Sequence, residues 1–116
     1  MISGINAALS GVLAHQRQVD TAGNNLANVS TDGFKKSRVV MEDQPGGVST
    51  ETQRVETQGP MYPDPIDPAG ALVEGSNVDI AEEMVALITG ERGFEANLKT
   101  IQTQDEMLGE LLDILG

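Results

Sequence analysis

Along the last third of the chain, Ile80, Met84, Leu87, Glu91, Phe94, Leu98, Ile101, Asp105, Leu108, Leu112 and Leu115 recur at alternating steps of four and three. Only Glu91 and Asp105 interrupt the apolar series. A period near 3.5 residues over so many turns predicts a helix packed along its length against other helices, with Val85, Ile88 and Leu111 widening the stripe. At 1.5 Å per residue it would run roughly 50 Å. Its start is predicted between Asn77 and Asp79: Ser76 and Asn77 offer N-cap oxygens, while Asp79, Glu82 and Glu83 put negative charge at the positive end of the helix dipole. Gly90, Gly93 and Gly109 each cost about 1 kcal/mol relative to Ala in a helix interior, so packing partners must supply the difference.

The first 27 residues repeat the pattern more weakly, with Ile2, Ile5, Leu9, Val12, Gln16, Val19, Gly23 and Leu26 at the same steps. Ala8, Ala22 and Ala27 flank the stripe and permit close approach of another helix. Gln16 and Gly23 leave gaps, so the segment is a weak helix alone in water and reads as an association helix. The expected subunit-packing residues are Ile5, Leu9, Val12, Val19 and Leu26 in the first helix. In the second they are Ile80, Met84, Leu87, Phe94, Leu98, Ile101, Leu108 and Leu112.

Between the helices the chain turns polar and rich in Gly and Pro, as in Gln44-Pro45-Gly46-Gly47, Gln58-Gly59-Pro60 and the Pro63-Asp64-Pro65-Ile66-Asp67-Pro68 run. Prolines at that spacing exclude a helix. The β-branched enrichment of Val48–Val55 fits a short hairpin or an extended loop equally well. The expected fold is therefore mainly α, two long terminal helices joined by an extended or short β linker. Its parts would be an N-terminal association helix at 1–30, a linker at 31–76 and a C-terminal association helix at 77–116.

Composition narrows the function. Aromatics make up 3% of 116 residues and Trp is absent, which suits helix seams better than a sandwich core. A net charge of -11 repels phosphate backbones, and Lys35-Lys36-Ser37-Arg38 is the longest basic patch, so nucleic-acid binding is not expected. The absence of Cys removes disulfides and thiolate metal sites. No run of ~18 apolar residues predicts a membrane span, and Met1–Leu9 lacks the basic region that precedes a secretory signal's apolar stretch. Neither membrane insertion nor an ordinary cleavable leader is expected.

After the first helix comes Asn24-Asn25-Leu26-Ala27-Asn28-Val29-Ser30-Thr31-Asp32-Gly33-Phe34-Lys35. Asn28 can take the left-handed conformation that ends a helix, Thr31-Asp32-Gly33 can turn tightly with positive φ at Gly33, and Phe34 can fold back over the seam. As a whole the stretch resembles the N-terminal signature of flagellar basal-body rod and hook proteins, Asn-Asn-x-Ala-Asn-x-x-Thr-x-Gly-Phe-Lys. The matching positions are Asn24, Asn25, Ala27, Asn28, Thr31, Gly33, Phe34 and Lys35. Ser76–Val85, with Asn77, Val78, Glu83 and Met84, is similar to that family's C-terminal motif, as are Arg92, Ala96 and Asn97 within Arg92–Asn97 and the Gln104–Leu108 stretch. The end motifs look like those of distal-rod and hook proteins and the short linker like that of the proximal rod (FlgC/FlgG type), although Ser76 stands where proximal-rod proteins often have Pro.

The resemblance implies that the long terminal helices form an antiparallel coiled-coil hairpin, and that the chain is a structural subunit of the basal-body rod, polymerising through those helices into the axial tube and transmitting torque. Its partners would be other copies of itself, other rod and hook proteins and the flagellar type III export apparatus, which exports family members without a cleaved signal peptide. The competing expectation is a soluble acidic coiled-coil adaptor or export chaperone. No enzyme, cofactor or metal site is expected. His15 is the sole histidine and lacks a catalytic companion, which leaves it as a surface or inter-subunit polar contact. Asp64, Asp67 and Glu74 lack calcium-loop spacing and read as a solvated loop. Gly90 and Gly93, mid-helix with no preceding strand, suggest close packing rather than a phosphate loop.

Overall fold

The computed structural model describes residues 2–116. Two long helices, α1 (Ile2–Ala27) and α2 (Ile80–Leu115), carry most of the structure, and between them lie β1 (Ser37–Gln44), β2 (Gly47–Arg54), β3 (Met61–Pro63) and β4 (Leu72–Glu74). The fold is the expected mainly α hairpin, 81 Å in its longest dimension and 22 × 16 Å across. The linker alternatives resolve to β structure: β1 and β2 form an antiparallel ribbon in register from Ser37↔Arg54 to Gln44↔Gly47, and β3 pairs antiparallel with β4. Pro45 fixes the first central position of the β1–β2 turn, and Gly46, at φ 89°, takes the left-handed second position.

The helices run antiparallel, as their close approaches show. A Cβ placed on Gly4 would stand 2.8 Å from the Gln104 amide, one on Gly11 2.7 Å from Asn97 Oδ1, and one on Gly90 2.8 Å from Val19 Cγ2. On Gly93 it would overlap the His15 ring. Each step forward along α1 is thus matched by an equal step back along α2. The seam is built from small residues of one helix facing polar or branched residues of the other: Gly4, Ala8, Gly11, His15 and Ala22 against Glu83, Gly90, Gly93, Asn97 and Gln104. Glycine there lets the backbones approach closely, at the cost of intrinsic helix propensity.

The seam therefore runs beside the apolar stripes rather than along their centres. Val12 is buried and Ile5, Val19, Leu87, Phe94, Ile101 and Leu108 are half-buried, forming the shoulder of the contact. The other half of each stripe, Leu9 on α1 and Ile80, Met84, Leu98 and Leu112 on α2, stays exposed. His15 lies half-buried in the intramolecular seam, hydrogen-bonded through Nδ1 to Gln18 Oε1 at 3.2 Å, which corrects the surface expectation. The physical reason is that Gly93 leaves room for an imidazole between the helices.

The ribbon lies back along a flank of α1, with its anchor Ser10 beside the seam residue Gly11. Its tip is fixed where Val48 N–H donates to Ser10 Oγ at 3.1 Å, and Ser10 Oγ–H in turn donates to Ala7 O at 2.6 Å. Buried Ala14 gives this second contact face of α1 a surface flat enough for a strand pair. The order across the molecule is α2, α1, ribbon.

Two glycine classes follow. Gly109 and Gly23 have nothing within 4 Å of a built Cβ, whereas Gly90 and Gly93 abut α1. Gly109→Ala and Gly23→Ala should each raise helical stability by up to about 1 kcal/mol. Gly90→Ala and Gly93→Ala should lower it despite the same propensity gain, because a methyl group forces the helices apart. Thermal melts followed by circular dichroism at 222 nm should rank the four accordingly.

Candidate assembly site

The base of the ribbon is a knot in which the two sequence motifs meet. Asn25, 1% exposed, ends α1 with its amide spanning one residue of β1: Nδ2 donates to Ser37 O at 2.8 Å and Oδ1 accepts from Ser37 N–H at 3.0 Å. From the other motif, Asn77 Oδ1 accepts from Lys36 N–H at 2.7 Å, and Nδ2 donates to Val55 O at 2.8 Å and Thr57 O at 3.0 Å. Main-chain bonds close the same crossing: Gly33 N–H to Glu74 O at 2.8 Å, Val55 N–H to Lys36 O at 2.9 Å and Asn77 N–H to Phe34 O at 3.3 Å. The Asn77 side chain thus satisfies main-chain groups of two segments, at Lys36 and at Val55–Thr57, and joins its own segment to both.

This geometry changes several assigned roles. Asn77 ties strands, and the N-cap of α2 is Asp79, whose carboxylate accepts from Ala81 N–H at 2.9 Å. Ser76 Oγ accepts from Val78 N–H at 3.2 Å, ahead of the helix. An extended Asn77 serves the knot better than a cap, and Asp79 is the next residue with a short acceptor. Asn28 has no positive φ; it closes the end of α1 by donating from Nδ2 to Asn24 O at 2.9 Å, and Thr31 Oγ1 donates to Asn28 Oδ1 at 3.1 Å. Gly33, at φ 70°, takes the left-handed position as expected, and Phe34 is half-buried behind it.

Glu74 is likewise no part of a solvated acidic loop. It pairs with Lys35 and accepts from Gly59 N–H at 2.8 Å, while Lys35 Nζ also donates to Thr57 O at 2.9 Å. The Lys35 hydrogen bond first, and the Gly59 amide second, hold its carboxyl below the usual range. Asp64 and Asp67 instead accept from the amides of Ile66 and Ala69 in their own turn, each at 2.8 Å. The pairing of Glu74 with Lys35 joins residues far apart in sequence, and no local pattern signals it.

Among the remaining motif residues, Asn97 is half-buried in the seam and donates to Gly93 O at 2.9 Å, and Val78 is half-buried. Ala27, Met84, Arg92 and Ala96 are exposed. Glu83 is buried at the junction of α1, α2 and the ribbon, beside a cleft of about 330 Å³ that Lys36 and Arg38 also line; Lys36 pairs with Glu82. Among the described residues, no three His, Asp or Glu are placed to hold one metal ion, and no helix is long and apolar enough to cross a membrane.

Because the knot holds the helix ends together, the exposed halves of the two stripes form one face. On it an apolar groove of about 400 Å³ opens between the helices, lined by Gln16, Val19, Leu87, Glu91 and Phe94. Fold and face together define an elongated helical hairpin that presents apolar surface along its length, the form of a subunit in a larger assembly.

Comparison with known proteins gives the family. Residues 5–35 match the family described as flagella basal body rod protein, and residues 69–114 match the flagellar basal body rod FlgEFG protein C-terminal family. The chain is 28% identical to the flagellar basal-body rod protein FlgC of Borreliella burgdorferi over 99% of its own length and 97% of that protein's. It is 58% identical to FlgG of the same organism over 33% of this chain and 14% of the relative. Against the Escherichia coli hook protein FlgE it is 44% identical over 39% of this chain and 11% of the relative. The chain belongs to the flagellar basal-body rod protein family.

Two measurements test the knot. Asn25→Ala leaves both buried main-chain groups of Ser37 without partners and should cost about 1–3 kcal/mol in chemical denaturation, with Asn77→Ala similar. For Glu74 the folded pKa lies below the unfolded value, so its contribution is complete above the ordinary carboxylate range and disappears as pH falls through the folded pKa. The difference in melting temperature between the unaltered chain and Glu74→Gln should accordingly be largest at neutral pH and shrink as the pH falls below the ordinary carboxylate range.

Proposed function

We propose that this chain is a structural subunit of the bacterial flagellar basal-body rod that polymerises through its terminal helices into the axial tube and transmits torque. The reading assigns 1–30 and 77–116 to subunit packing and 31–76 to the linker between them. Its partners are copies of itself and other rod and hook proteins, and it reaches them through the flagellar type III export apparatus without a cleaved signal peptide. The mechanism is geometric, with no reaction, cofactor or metal.

The observation that carries the proposal is the uncovered apolar face. Leu9, Met84 and Leu98 are each close to half exposed on the side where the shoulder residues meet, along helices whose mutual seam is small and polar. Family membership agrees with it, and so does stiffness: two helices held in register by glycine contacts resist bending better than either alone. The chain aligns with FlgC from end to end, whereas the high local identities are to segments of FlgG and FlgE.

Leu98→Asp should abolish rod assembly, since a carboxylate buried unpaired between subunits costs several kcal/mol. Thr100→Asp, on the side of α2 away from this face, should be tolerated. The assay is basal bodies purified from a strain whose sole copy carries each change, together with swimming. An intact rod with Leu98→Asp, or with the protein deleted, refutes the structural reading and favours the adaptor.

A further inference from the structure

Among the described residues Glu83 is the one charged residue that is buried, at 7% exposure, and neither of its carboxylate oxygens takes a hydrogen bond or an ion pair. A buried ion without a partner is among the costliest arrangements a carboxylate can have. The neighbouring acids are served: Asp79 caps α2, and Glu82, its side chain 63% exposed, pairs with Lys36. Those two already give the N-terminus of α2 the negative charge that its dipole favours. The dipole therefore does not explain a third acid placed indoors.

Both Glu83 oxygens are nevertheless reachable. Gln104 Oε1 is the sole sealed side-chain atom without a partner among the described residues, so solvent reaches the Glu83 carboxylate. Glu83 lines the cleft of about 330 Å³ at the junction of α1, α2 and the ribbon, which is room for one planar cationic group and part of its stem. Gln18 and Thr21 of α1 add polar groups to its walls, and Ala22 and Ala86 give apolar surface on which methylene groups can lie. Of the two cations that also line it, Lys36 is engaged by Glu82, and Arg38 is exposed on β1 and forms no ion pair among the described residues. The unmet charge inside the cleft is that of Glu83. Its two free oxygens, side by side in one plane, match the fork of a guanidinium group.

We infer that this cleft receives one arginine side chain from a protein other than this chain, with Glu83 accepting two guanidinium N–H bonds while the stem lies over Ala22 and Ala86. A second copy is a poor source of that group, because at a net charge of -11 copies repel, whereas a partner with a basic segment is drawn in. The site goes beyond the rod reading and does not rest on it, since its occupancy is read on the unassembled, full-length chain.

The probe is the blocked peptide acetyl-Gly-Arg-Gly-amide, titrated into isotope-labelled full-length chain and followed by amide NMR shifts. Shifts should concentrate around Thr21, Lys36 and Glu83, the matching lysine peptide should bind several-fold more weakly, and the uncharged citrulline peptide should not bind. Glu83→Gln should weaken the arginine peptide about tenfold or more. Glu51→Gln, which removes an equal charge from an exposed position on β2, should leave binding unchanged. Because Glu83→Gln relieves an unpaired buried ion, its melting temperature at neutral pH should be no lower than that of the unaltered chain. Absence of shifts with the arginine peptide, or equal losses in the Glu83 and Glu51 variants, overturns the site. Binding of free L-arginine without binding of the peptide overturns the protein partner. A melting temperature lowered to the same extent by Glu83→Gln, by Arg38→Gln and by the two together assigns the carboxylate to Arg38 and overturns the inference as well.

Discussion

The close approach of α1 and α2 is the constraint on which the rest depends. Because Gly4, Gly11, Gly90 and Gly93 leave no side-chain volume at their contacts, the helix axes come near enough for His15, Asn97 and Gln104 to fill the seam. Any larger residue at these positions would rotate or separate the helices. The pairing is thus determined by shape and polarity, which specify register, and the large apolar side chains are left at the margin.

A seam of this kind cannot set its own ends, and the knot at the base does so. Asn25 binds the end of α1 to β1, and Asn77 binds the approach to α2 to the residues just outside β1 and β2, so the base of the pair is held flush. The ribbon then lies against a flank of α1 with its tip on Ser10, adding a third element that stiffens that helix. Local hydrogen-bond chemistry at one end is converted into a fixed axial relation along the whole molecule.

Both helices were legible because heptad spacing survives in the sequence, and the end motifs pointed to the family and, through it, to the antiparallel pairing. The face of contact was not legible. A stripe analysis weights Leu98 and Met84 above Gly90 and Asn97, so it finds the apolar face and passes over a seam made of glycine and amides. The roles of Asn77 and Glu74 were hidden for another reason: each acts through partners on segments distant in sequence. The ribbon was half legible, since Pro45-Gly46 marks the turn but the polar strands carry no strict alternation.

The division of labour between the surfaces has an energetic logic. Had the large apolar residues filled the intramolecular seam, the hairpin would be self-sufficient and would offer its neighbours mainly charge. With small and polar residues inside, the apolar residues remain for contacts between chains, where their burial stabilises a subunit only when a neighbour is present. A net charge of -11 adds repulsion between separate copies, which opposes indiscriminate association through the same apolar face. Under the proposed function, the contacts that complete the helices of such a subunit are the contacts that build the tube.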